Sequence, residues 1–116
     1  MKTERLQNVE KIIGWALDKK AENVLHYDVE GKTDFTDSII VCHGTADLHV
    51  KAIADFIISQ ASENGIKLYA KEGFQNSQWI ILDFIDIIVH VFNEETREFY
   101  HLEDLYKRTP RNREKR

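Results

Sequence analysis

Five histidines, one cysteine and twenty Asp or Glu residues are the groups in this 116-residue chain that a metal centre or a nucleophilic site would draw on. No two histidines stand at H-x-x-x-H spacing and none joins a cysteine at zinc-ligand spacing, so the pattern points away from a bound metal. His26 and His90 each lie in an apolar, β-branched run, where a ring hydrogen-bonded to a neighbour is the expected role. Cys42 is followed directly by His43. Adjacent strand residues face opposite ways, so the two make no catalytic pair, and the thiol reads as a small core hydrophobe. Neither G-x-x-x-x-G-K-[ST] nor G-x-G-x-x-G occurs, and His43-Gly44-Thr45 reads as a strand-to-helix corner. No cofactor is expected.

Carboxylates offer the one enzyme reading. Asp28, Asp34, Asp37, Asp83 and Asp86 fall at expected strand ends, where they either terminate strands or hold Mg²⁺ for nucleotidyl transfer. That transfer calls for an Asp-x-Asp on one strand face, and the sequence has none. A stronger pattern is the aromatic series Trp79, Phe84, Phe92, Phe99, Tyr100 and Tyr106, half of the twelve aromatic residues, interleaved with Asp83, Asp86, Glu94, Glu95 and Glu98. Aromatic rings bordered by carboxylates suit a surface that binds a basic protein, because rings give large contact area and the charges select the partner. The same rings also suit a core. Period-2 alternation puts Trp79, Ile81 and Asp83 on one strand face and Ile80, Leu82 and Phe84 on the other, and the face with Asp83 should be the wetter. Trp79 is then either an exposed anchor or a core ring.

The elements that must position these residues follow from periodicity. Leu6, Val9, Ile12, Ile13, Ala16 and Leu17 repeat at three- and four-residue steps, which predicts a helix over residues 3–20. Val24 to Val29 reads as a first strand ending at Glu30-Gly31-Lys32, and Ile39 to Cys42 as a second strand buried on both faces. Thr45 stands where an N-cap belongs, with Asp47 in the first turn of a long helix that Asn64-Gly65 closes. Its stripe is Leu48, Ile53, Phe56, Ile57 and Ala61, widened by Val50, Ala52, Ala54 and Ile58. Ile66 to Lys71 alternates as a short strand, and Trp79–Phe84 and Ile87–Phe92 form a tight hairpin. Asn93 then caps a short helical turn through Phe99, and a last turn covers Glu103 to Tyr106. The order predicts one α/β (α+β) domain, a mixed five-stranded sheet with helices packed on it.

Charge divides the chain. The last ten residues hold six Lys or Arg and only Glu114, about +5, so the formal −4 of the whole leaves about −9 on residues 1–106. Residues 107–116 lack an apolar anchor and read as a basic, disordered tail, which either serves solubility or meets nucleic-acid phosphate without sequence specificity. The acidic body is repelled by phosphate and attracted to basic proteins. No stretch approaches the ~20 apolar residues of a membrane span, and the lone cysteine suits a reducing cytoplasm.

The motifs Ala-Leu-Asp-Lys-Lys-Ala-Glu-Asn (16–23), Tyr-Asp-Val-Glu-Gly-Lys (27–32), Thr-Asp-Ser-Ile-Ile-Val (36–41) and Gly-Thr (44–45) are followed by Val-Lys-Ala-Ile-Ala-Asp (50–55) and Lys-Glu-Gly (71–73). Trp-Ile-Ile-Leu-Asp (79–83), Asp-Ile-Ile-Val-His-Val-Phe (86–92) and Arg-Glu-Phe-Tyr-His-Leu-Glu (97–103) complete the series. In this order, over about residues 6–106, the chain resembles the ribosomal silencing factor (Iojap-like) family. The resemblance implies a sheet related to nucleotidyltransferases but without their catalytic carboxylates, and no enzymatic activity. It also implies docking on ribosomal protein uL-fourteen of the large ribosomal subunit, which blocks subunit joining and represses translation under nutrient limitation. Carried over by position, the binding residues are Trp79, Asp83, Phe84, Phe92, Glu95, Arg97 and Tyr100.

Ile85 departs from the family, whose hairpin usually has glycine before the aspartate. Glycine tolerates positive φ there, so a β-branched residue implies a reshaped or strained turn. The basic tail extends beyond the family's core and would add contacts to ribosomal RNA. Two other classes of function stay open: a metal-dependent nucleotidyltransferase-like enzyme, and an RNA-binding ribosome-assembly adaptor. A homodimer of the free protein is compatible with exposed apolar strand residues.

Overall fold

The computed structural model describes residues 2–100, with the backbone alone at 99 and 100. The expected turn from Glu103 to Tyr106 and the basic tail lie outside the described residues. Eight elements follow in order: α1 (Lys2–Asp18), β1 (Glu22–Asp28), β2 (Ser38–Gly44), α2 (Asp47–Glu63), β3 (Ala70–Glu72), β4 (Trp79–Asp83), β5 (Ile87–Asn93) and α3 (Glu94–Tyr100). The five strands form one sheet, as the alternation and turn residues predicted, and their order is β1-β2-β5-β4-β3. β2 and β5 run parallel and the other neighbours antiparallel, which makes the sheet mixed.

The interior strand β2 carries no exposed residue, and Ile39 to Cys42 are fully buried. α1 and α2 pack together on one sheet face, where Val9, Ile12 and Ala16 of α1 meet Val50, Ile53 and Ile57 of α2 and Ile40, Cys42, Ile80, Leu82, Val89 and Val91 of the sheet. Each fully buried isoleucine in this layer contributes on the order of 2 kcal/mol by leaving water. The opposite face gathers a smaller cluster of Val29, Ile39, Val41 and Phe92, with Tyr27 and Trp79 partly buried against it.

Several expectations need correction. Thr45 is not the N-cap of α2: Ala46 holds that position without a side-chain cap bond. Instead the Thr45 amide donates to His49 Nδ1 at 3.0 Å, and its hydroxyl lies 3.3 Å from the same nitrogen. Leu17 and Leu48, both assigned to buried stripes, are 54% and 82% exposed. Each sits in a terminal turn of its helix, where the stripe runs past the sheet. Ile66 to Tyr69 is not strand. Ala70 pairs with Asp83, the last residue of β4, and the Tyr69 amide still donates to the Asp83 oxygen at 2.8 Å; before it the Ile66 amide turns back to the Ala61 oxygen at the end of α2, and Ile66 and Leu68 pack on the helical core. Asn64 does cap α2, with Gly65 at φ +76°, and Asn93 Oδ1 accepts from the Glu95 amide at 2.9 Å at the start of α3.

A close approach fixes the entry to the hairpin. Gly73 has φ +92°, and a Cβ built there would lie 2.0 Å from the Trp79 carbonyl oxygen. Only glycine fits that crossing.

Candidate protein-binding face

Strands β4 and β5 build the site through their alternation. Ile80 and Leu82 turn inward and are fully buried, while Trp79, Ile81 and Asp83 turn to the opposite face and are half-buried. This is the wetter face that period 2 predicted. Trp79 pairs with Phe92 across the strands, and their rings stack with centroids 4.9 Å apart at 29°. The indole Nε1–H donates to His90 Nδ1 at 3.1 Å. Trp79 is therefore an anchored, half-buried ring, intermediate between the exposed and the core readings.

At the hairpin tip, Ile85 adopts φ +81°, the left-handed conformation that a glycine would take without strain. The Asp86 amide donates to the Phe84 oxygen at 3.1 Å across Ile85, and the Ile85 amide donates to Asp83 Oδ1 at 2.8 Å. The Ile85 side chain stays 57% exposed. Beside the tip, Phe84, Ile66, Leu68, Tyr69, Lys67, Asn8 and Asp86 line a cavity of about 500 Å³.

The seven residues assigned to binding by resemblance divide by burial. Trp79 and Asp83 are half-buried and Glu95 is exposed, all available to a partner. Phe84, Phe92 and Arg97 are only 4%, 0% and 4% exposed, so they offer a partner almost no surface in this structure. Phe84, just past the end of β4, packs in the helix-side core, Phe92 of β5 packs in the smaller cluster on the other face, and the Arg97 guanidinium is consumed by internal bonds. Arg97 Nη1 donates to the Asn23 oxygen at 2.9 Å and to His43 Nδ1 at 2.9 Å, tying α3 to the edge strand β1. Tyr100 ends α3, and its side chain is not described.

Metal and catalytic readings meet specific obstacles. Among the described residues, one set of three His, Asp or Glu side chains has ligand atoms within 4.8 Å of one another: Glu22, His43 and Glu94. None of the five aspartates singled out for Mg²⁺ belongs to it. Arg97 donates to His43 Nδ1, which puts the proton of the neutral ring on Nε2 and directs it to Glu22 Oε1 at 3.2 Å. A metal at Nε2 would need the opposite tautomer, so these residues do not fit one. Burial pushes the Cys42 thiol up to about 12, which leaves no thiolate for nucleophilic attack. Ser38 Oγ lies 3.0 Å from His26 Nε2, but Ser38 is fully buried and beyond reach of a substrate.

Sequence reasoning missed the group that holds this network. Arg5 of α1 is 3% exposed, donates to Ser38 Oγ and to the Asp37 oxygen at 3.1 Å, and pairs with Glu30 at 3.0 Å. The signal was its position one turn before Val9 on the buried stripe, where an arginine needs internal partners.

A mixed sheet backed on one side by two helices, with half-buried aromatic and acidic side chains on the other, defines a small α/β domain with one candidate binding face. The chain belongs to the family described as ribosomal silencing factor during starvation, whose model matches residues 2–116. It is 43% identical over 93 residues to "Ribosomal silencing factor RsfS" of Bacillus subtilis, covering 80% of this chain and 79% of that one. A crystal structure of a Chromobacterium violaceum protein matches the fold with a TM-score of 0.85 at 25% identity, over 88% of this chain and 85% of that one. A more distant relative, "Mitochondrial assembly of ribosomal large subunit protein 1" of Mus musculus, is 23% identical over 105 residues, 85% of this chain and 45% of its own length.

Proposed function

We propose that the protein docks on the large ribosomal subunit through ribosomal protein uL-fourteen and obstructs the joining of the small subunit, repressing translation under nutrient limitation. One observation carries this reading: the hairpin that bears the family signature presents Trp79 and Asp83, half-buried, on the sheet face away from α1 and α2. Aromatic area beside carboxylates suits a basic protein surface. The name of the mouse relative, which concerns the ribosomal large subunit, adds support. Trp79, Asp83 and Glu95 make the contact, Tyr100 extends it, Phe92 backs Trp79 from beneath, Arg97 braces α3, and Phe84 holds the hairpin tip on the helix-side core. The protein acts in the cytoplasm by steric obstruction and catalyses no reaction. Residues 1–106 form the docking unit, and the basic residues 107–116 meet ribosomal RNA phosphate. The relation of the sheet to nucleotidyltransferases rests on the family resemblance alone.

Sucrose-gradient sedimentation with purified subunits tests the proposal. The protein should travel with large subunits and lower their joining to small ones. Free subunit joining at saturating protein overturns it. Removal of residues 107–116 should flatten the salt dependence of binding; an unchanged slope removes the tail from the interface.

A further inference from the structure

His90 is not among the binding residues that the family resemblance supplies, and at 7% exposed it offers a partner almost no surface. Its place in the cluster nonetheless gives it a task. On β5 it pairs across the ladder with Ile81, one diagonal step from Trp79, and the indole reaches over to donate its only N–H to His90 Nδ1 at 3.1 Å. Phe92 completes the group: its ring stacks on Trp79 at 4.9 Å and lies nearly parallel to the His90 ring, 14° apart with centroids at 6.1 Å. Stacking fixes the plane of the indole. The hydrogen bond fixes which way its polar edge points, since an indole has one donor and no acceptor.

We propose that His90 is the positioning residue of the docking face, holding the Trp79 indole in its docking orientation by accepting from Nε1. This rests on the docking proposal above. Two features make His90 suited to the task. Burial lowers its pKa to about 4, so at ordinary pH the ring is neutral and Nδ1 keeps the lone pair that the indole needs. Because the N–H is satisfied internally, a partner meets the ring without having to supply an acceptor. An anchor already fixed in its bound rotamer also loses less entropy on association.

The experiment measures docking of the full chain on purified large subunits for His90→Phe, His90→Gln, Trp79→Phe, Trp79→Ala and the double variant of His90→Phe with Trp79→Phe. Indole emission is followed in a Trp15→Phe background. His90→Phe keeps a ring against Phe92 but cannot accept; it should weaken docking about three- to tenfold and shift Trp79 emission. His90→Gln, whose amide oxygen can accept, should recover most of the affinity. Trp79→Phe has no N–H to place, so adding His90→Phe to it should change docking no further. Equal losses from His90→Phe in both backgrounds would mark a merely structural role and overturn the proposal. Docking by Trp79→Phe as tight as by the unaltered protein overturns it too, whether or not His90→Phe folds. If Trp79→Ala weakens docking while His90→Phe does not, this inference fails and the docking face stands. If Trp79→Ala leaves docking unchanged, the face itself is wrong.

Discussion

The Asp83 carboxylate accepts from the Ile85 amide at 2.8 Å, so the acidic side chain on the proposed contact face also holds the tip of its own hairpin. On the docking proposal, one residue serves the turn through an oxygen and the partner through a charge. The two roles separate by substitution. Asp83→Asn keeps the accepting oxygen and removes the charge, so its folding stability should stay within about 0.5 kcal/mol of the parent. Docking on large subunits should weaken about two- to fivefold, the range of a partly exposed ion pair. Urea unfolding and subunit co-sedimentation measure the two effects; unchanged docking would remove the charge from the interface.

Ile85 should be replaceable at a profit in stability. A β-branched residue at φ +81° costs on the order of 1–3 kcal/mol, and its half-exposed side chain returns little by burial. Ile85→Gly relieves the strain at the entropic cost of glycine in the unfolded chain, for a net gain of about 1 kcal/mol. A urea midpoint at or below that of the parent would show that the turn bears no strain.

Arg97 ties the last described helix to the edge strand β1. Arg97→Met removes the donors to the Asn23 oxygen and to His43 Nδ1. Leaving the buried His43 Nδ1 unmet should cost roughly 1–3 kcal/mol. Hydrogen exchange should locate the loss in α3 and β1. Uniform acceleration across the sheet, with no excess there, would contradict the assigned contact.

Stability should fall as the solution is acidified through the range between the ordinary histidine pKa and that of buried His90. Burial lowers the pKa of His90 from 6.5 to about 4, so the folded state resists a proton that the unfolded chain takes up. The contribution is whole above pH 6.5, declines as pH drops, and reaches a loss of roughly 3 kcal/mol near pH 4. His26 acts in the same direction: burial lowers its pKa, Asp28 opposes and Arg5 adds. Urea titrations at pH 7.5, 5.5 and 4.5 should show the decline, and His90→Gln should flatten it. An equal slope in that variant would assign the acid sensitivity elsewhere.

Much of this was legible in the residues. The interior of the sheet was visible as the unbroken apolar run Ile39 to Cys42, and the wet side of β4 as the alternation from Trp79 to Asp83. The resemblance left a reshaped or a strained turn open at Ile85, and the structure keeps the strained one, with φ +81°. Most of what failed did so at the ends of elements, apart from Ala52, which is exposed within α2. Leu17 and Leu48 have the right spacing but sit where their helices overrun the sheet, and Ile66 has strand alternation but no strand beside it.

The sequence by itself determined the element types, the mixed sheet and the family, because periodicity and turn chemistry act over a few residues and survive in one dimension. The tertiary structure alone decided which members of the aromatic and acidic series reach the surface. Phe84, Phe92 and Arg97 lie beneath it because their neighbours come from strands and helices distant in the chain: Arg97 meets Asn23 across 74 residues. Burial is a property of those meetings, and no local pattern records them. The Trp79–His90 bond is of the same kind, since only the β4–β5 register brings donor and acceptor within 3.1 Å.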